Sequence, residues 1–203
     1  VTEEVKNLCS GGLDHAELAE LAAKEPPGCH GVTFLPYLGG ERTPNWPGAT
    51  GTLLGLKPGL MRPGVLYRAA MEGATFSLLN GFEEMKRQAA AESEILNATE
   101  LRIVGGGSKN HTWRQLIADV FQLPLRFPVE PETAALGAAL QAAAVASGVL
   151  VAEFLKSPQG QPQLESEVLQ PNADNKNAYA EAFERFTRLG VALFGPKGVV
   201  VPS

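Results

Sequence analysis

The residues best suited to chemistry lie in one run, Leu101-Arg-Ile-Val-Gly-Gly-Gly-Ser-Lys-Asn-His-Thr-Trp-Arg-Gln-Leu-Ile-Ala-Asp119. It reads as a strand that ends in Gly105, Gly106 and Gly107 and then opens a helix. Glycine at the end of a strand lets the backbone lie flat against a ligand that any Cβ would push away. The helix that follows presents free N–H groups and the positive end of its dipole, a setting that suits an anion. Open α/β folds bind ligands at such loops, on the C-terminal edge of a parallel sheet. A triple glycine by spacing alone is weak evidence, since a plain tight turn uses the same residues. Two standard nucleotide motifs fail. A dinucleotide fingerprint needs a third glycine where Asn110 stands, and no G-x-x-x-x-G-K-[ST] run occurs.

The neighbours of the glycines carry competing readings. Asn110 suits a helix N-cap and equally a ligand contact, and both hold if its amide turns outward. Trp113, one turn on, offers its large π face to a purine or packs in the core against the sheet. Lys109 reads as a solvated lysine, and His111 lacks a His or Cys partner at metal-ligand spacing. Asp119 falls on the third turn and reads as structural. Arg68 and Glu72 form an i,i+4 pair expected on a helix surface or at a domain contact. Glu41 and Arg42 read as an ion pair that pins a loop, in preference to Arg42 reaching into a cleft near substrate phosphate, and Glu132 as a helix-start charge.

Elements must position these residues. Asp14 caps a short helix to Lys24 with Leu13, Leu18 and Leu21 on one face. A strand follows over Gly31–Tyr37, then an irregular stretch from Glu41 to Gly64. A long helix runs from Val65 to Ala91, with Leu66, Ala70, Ala74, Leu78 and Phe82 near the helical period. After the glycine turn and its helix, Pro124–Pro128 reads as an edge strand. Thr133–Ser147 reads as a buried alanine-rich helix followed by a short strand, and 157–175 as a mobile polar loop. A last helix covers about Asn177 to Phe194. This order predicts an α/β domain with a largely parallel central sheet flanked by helices.

Bulk properties exclude several classes. A chain of 203 residues, 44% hydrophobic and 19% charged, has the composition of a globular domain. A net charge of −5 argues against nucleic acid. Cys9 and Cys29 are too few for a disulfide framework, and the acidic start is unlike a signal peptide. No membrane partner is expected, and the expected location is the cytoplasm.

The run Gly105–Asn110, with Trp113, Gln115, Ala118 and Asp119 at their spacing, closely resembles the adenosine motif of the FGGY carbohydrate kinases. Phe34-Leu-Pro-Tyr-Leu-Gly-Gly-Glu-Arg-Thr-Pro44 resembles a loop of the xylulokinase-like branch. Arg68-Ala-x-x-Glu72-Gly73 resembles the family's long helix, and Glu132-Thr-Ala-Ala-Leu-Gly-Ala-Ala139 the helix that closes its nucleotide site. The matches cover about Gly31 to Ser147. The resemblance implies an actin-like (ribonuclease H-like) ATPase fold and makes residues 1–203 the C-terminal nucleotide-binding domain of a two-domain sugar kinase. It places Gly106 and Gly107 against adenosine and Asn110 on the adenine edge, and with the residue-level reading of Trp113 the nucleotide-binding candidates are Gly105, Gly106, Gly107, Asn110 and Trp113. ATP or ADP and Mg2+ are the implied ligands, and a ketopentose such as xylulose the implied acceptor. The family's phosphate-contacting Gly-Thr strand and catalytic aspartate have no counterpart here; both are expected upstream of Val1, the aspartate on an N-terminal lobe that holds the sugar. A homodimer of the full-length enzyme is one assembly the resemblance allows. A non-catalytic actin-like nucleotide-binding or regulatory module shares every one of these motifs.

Overall fold

A computed structural model describes residues 1–9, 11–130 and 132–196. Its N-terminal part is a helical layer on a small hairpin. Helix α1 spans Thr2–Leu8 and α2 spans His15–Ala23. Asp14 starts α2 with a complete capping box: its Oδ1 accepts from the amides of Ala16 and Glu17 at 2.8 and 2.9 Å. The Glu17 carboxylate in turn accepts from the Asp14 amide at 2.8 Å, so three otherwise orphaned donors are satisfied. Strands β1 (Thr33–Leu35) and β2 (Thr52–Leu54) pair antiparallel. The second of these lies in the stretch the sequence reads as irregular.

Helix α3, Pro63–Ala91, organises the core. Proline at its first position loses no bond, because that N–H has no intrahelical partner. Its first half is buried on nearly every side, from Gly64 to Phe76. Gly73 permits this: a Cβ there would stand 2.1 Å from the Phe34 carbonyl oxygen, where β1 crosses the helix. Its second half emerges into solvent, so Leu78, which periodicity puts on the core face, is 60% exposed. Helix α7 (Lys176–Phe194) closes the other side with Tyr179, Ala182 and Phe186 against Phe76 and Tyr37.

A three-stranded sheet forms the second unit, in the order β3 (Leu101–Arg102), β4 (Leu125–Pro128), β5 (Leu164–Leu169). The sheet is mixed: β3 and β4 are parallel, β4 and β5 antiparallel. That parallel pairing is the only one among the described strands, fewer than the expected largely parallel sheet. Strand β4, read as an edge from its flanking prolines, is central. Leu125 and Phe127 alternate inward onto Ile117 and Ala118 of α4, which spans His111–Phe121.

Further corrections concern the C-terminal third. The segment 157–175, expected to be a loop, contains β5, whose Glu165 and Glu167 hide a strand behind the polarity typical of a sheet edge. Helix α5, Thr133–Ala146, exists as expected but is not buried: Ala144 is its one buried residue among those described. Helix α6, Val151–Phe154, replaces the expected strand after it. The Arg68–Glu72 pair lies in the interior, not on the surface. Arg68 Nε donates to Glu72 Oε1 at 2.8 Å, Nη2 donates to the Tyr179 hydroxyl, and the Gly28 amide donates to Glu72 at 3.0 Å. Burial pushes the Glu72 carboxyl up while Arg68 pulls it down. Cys29 is buried and pushed up to about 12, chiefly by desolvation, and its Sγ–H donates to the Val65 carbonyl.

Candidate functional site

The three glycines stand in three different settings. Gly105 has φ +89° and ψ −175°, a region open almost only to glycine. Gly106 has no heavy atom within 4 Å of where a Cβ would stand, so its vicinity is open space. A Cβ on Gly107 would lie 3.2 Å from Cε3 and Cζ3 of Trp113. The absent side chain at 107 makes room for an indole of the same chain.

A single turn of 3-10 helix, Gly106–Lys109, joins these glycines to α4. The Ser108 amide and hydroxyl both donate to the Gly105 carbonyl, at 3.1 and 2.6 Å. Asn110 is the N-cap, its Oδ1 accepting from the Trp113 amide at 3.1 Å. That bond commits the oxygen and leaves Nδ2 as the donor Asn110 can offer elsewhere. The Trp113 indole N–H donates to Thr75 Oγ1 at 2.9 Å, and the buried Thr75 hydroxyl donates to the Met71 carbonyl at 2.8 Å. Trp113 thus faces both ways: its ring is anchored to α3 while it also lines the cavity.

The cavity, about 620 Å3, lies between this turn and α2. Gly106, Gly107, Lys109, Asn110 and the first turn of α4 line it together with Ala16, Ala19 and Glu20 of α2. His15 and Tyr67 also line it. The His15 ring is held at both nitrogens, Nδ1 2.7 Å from the Tyr67 hydroxyl and Nε2 2.7 Å from Glu3 Oε2. Lys6 and His15 hold the Glu3 carboxyl below its ordinary range. The lining is mostly apolar, with small residues on α2, so it fits a flat, partly apolar ligand whose polar groups meet a few donors.

Gly106, Gly107, Asn110 and Trp113 therefore come together on one cavity, and Gly105 sits behind them as the hinge of the turn. The contribution of α2 was invisible in the sequence. The capping box marks the helix, but nothing local links Ala16 or Ala19 to a turn some 90 residues later. The other candidates take structural places. Asp119 accepts from Gln115, the Asn172 amide and Asn175, each at 2.7 Å. Glu41 pins its loop by accepting from the amides of Arg42 and Thr43 at 2.7 and 3.0 Å, not through the Arg42 guanidinium. Glu132 stands at the start of α5 without a side-chain capping bond.

Fold and cavity together define an actin-like α/β domain with its cavity at the strand-to-helix glycine turn. Residues 3–146 match the FGGY family of carbohydrate kinases, C-terminal domain, and the chain belongs to that family. The xylulose kinase of Haemophilus influenzae is 38% identical over 184 residues, covering 91% of this chain and 35% of that protein. The gluconokinase of Bacillus subtilis is 30% identical over 143 residues, covering 68% of this chain and 26% of that protein. Among solved structures, ligand-bound xylulose kinase from Lactobacillus acidophilus superimposes with a TM-score of 0.81 over 97% of this chain and 39% of that one. At 24% identity that likeness speaks for the fold alone. The chain spans at most about a third of the length of these curated relatives.

No described helix is long and apolar enough to cross a membrane.

Proposed function

We propose that the cavity at the glycine turn holds the adenosine end of ATP or ADP, in an enzyme that transfers the γ-phosphoryl of MgATP to a hydroxyl of a ketopentose such as xylulose. The observation that carries this reading is Gly106. It borders a cavity with nothing within 4 Å of its missing Cβ, and the small residues Ala16 and Ala19 line the same cavity. A purine there would meet both backbone and methyl groups. Asn110 Nδ2 would donate to a base nitrogen, because its oxygen is already committed to capping.

Phosphoryl transfer rests mainly on positioning and charge stabilisation. In this reading the chain supplies positioning: it fixes the nucleoside and leaves the phosphates directed out of the cavity. Mg2+ arrives with the phosphates. No cluster of three or more His, Cys, Asp or Glu side chains able to hold a metal occurs among the described residues. The hydroxyl of the sugar would lose its proton to an aspartate outside this domain. Xylulose is favoured as acceptor by the names of the relatives, and gluconate is the competitor the same names supply. Reduced thiols on Cys9 and Cys29 suit the cytoplasm.

Calorimetric titration with ADP tests the site. Wild-type protein should bind ADP, and Gly106→Val should lose at least about tenfold in affinity with an unchanged circular dichroism spectrum. Wild-type-like affinity in folded Gly106→Val would move the nucleotide elsewhere. Binding of NAD in preference to ADP would overturn the kinase reading altogether.

A further inference from the structure

Arg114 follows Trp113 on α4 but is not among the residues that line the cavity. Its guanidinium lies 3.9 Å from the ring centroid of Phe127, a buried residue of β4. Its Nε donates to the carbonyl of Ser108, inside the glycine turn. Its Nη1 stands 3.9 Å from Glu167 Oε2 on β5, and the side chain is only 15% exposed. Two strands and the turn therefore meet on one planar cation. Stacking on Phe127 fixes the plane of the guanidinium, and the plane fixes the direction in which Nε points.

The turn needs such a hold. Three consecutive glycines lose more backbone freedom on ordering than any other tripeptide, and apart from the bonds by which Asn110 caps α4, the other bonds that hold the turn, Ser108 to Gly105 and Asn110 to Gly107, lie within it. Arg114 ties the turn to the sheet from outside. We infer that Arg114 is a positioning residue for the nucleotide: through the Ser108 carbonyl it holds Gly105–Asn110 in the conformation that borders the cavity, and so sets nucleotide affinity without touching the ligand. This rests on the nucleotide reading of the cavity. Lysine cannot replace it, because a point cation neither stacks as a plane nor directs an Nε donor.

The test uses wild-type protein, Arg114→Gln and Arg114→Lys, with amide hydrogen exchange read peptide by peptide and ADP affinity by calorimetry. Both variants should exchange faster over 106–110, keep wild-type protection over 65–76 in α3, and bind ADP about tenfold more weakly, the worth of one charge-assisted hydrogen bond. Unchanged exchange in the turn overturns the inference, as does wild-type affinity despite a loosened turn. Protection lost across α3 as well would make Arg114 a general stabiliser and also overturn it. So would wild-type affinity in Arg114→Lys alone, which would mean that charge suffices. Failure of the wild-type protein to bind ADP is a separate result: it removes the nucleotide reading, and this inference falls with it.

Discussion

Alanine at each of the three glycines should produce three different outcomes. At Gly107 the new Cβ would stand 3.2 Å from two carbons of the Trp113 ring, against an optimum of about 3.5–4.0 Å between carbons. The indole cannot retreat freely, since its N–H is bonded at 2.9 Å to Thr75, itself wholly buried. Overpacking of this kind costs about 1–3 kcal/mol, and Gly107→Ala should lose that much unfolding free energy. At Gly105, φ +89° with ψ −175° imposes backbone strain of about 1–3 kcal/mol on any residue with a Cβ. At Gly106 no atom lies within 4 Å, and alanine should change stability by less than about 0.5 kcal/mol. Urea unfolding followed by far-ultraviolet circular dichroism reads all three. Gly107→Ala combined with Trp113→Leu should lose less than the sum of the two single changes, because the clash is shared. The reasoning fails if Gly106→Ala is as destabilising as Gly107→Ala, or if the double variant is strictly additive.

Three other outcomes follow from the same structure. Arg68→Ala strands the buried Glu72 carboxylate and should cost about 3–5 kcal/mol, with Arg68→Met combined with Glu72→Leu recovering part of it; a loss below about 1 kcal/mol in urea unfolding would contradict the buried-pair geometry. Arg62, then His30, holds the Glu25 carboxyl below its usual value of 4.5. The stability this pair contributes is therefore present above that pH and lost as pH falls through the lower folded value. Arg62→Ala should flatten the acid limb of a stability–pH curve, and an unchanged limb would argue against the pair. The 203-residue chain assayed alone should release no sugar-dependent ADP from xylulose or ribulose. Glu20 on α2 is the one carboxylate among the cavity-lining residues described, and a missing positioned base costs about two to four orders of magnitude in rate. Turnover by the isolated chain would require the base to be found among its own residues.

Much of the site's local geometry was legible in the sequence because its causes are local. An Asn at a helix start and a Trp one turn later depend on neighbouring residues and take the places their spacing suggests, whereas the strand before the glycines stops at Arg102, two residues short of the expected end. The capping box at Asp14 and the long helix ending at Ala91 were readable for the same reason. The match of the glycine turn to the FGGY kinases likewise needed only consecutive residues. What the tertiary structure decided is which distant residues share a surface. The Arg68–Glu72 spacing is equally compatible with a wet or a dry helix face, and only the approach of Gly28 and Tyr179 makes it dry. Strand β5 carries too many charges to look like a strand, and gains its conformation from pairing with β4. The exposure of α5 depends on what packs over it, which an alanine pattern cannot encode. Gly107 is the sharpest case. In the sequence it reads as space left for a ligand; the fold also sets the Trp113 ring against it, and Gly106 beside it carries the open face. Spacing along the chain selects residues that can leave room; only three-dimensional packing settles what fills it.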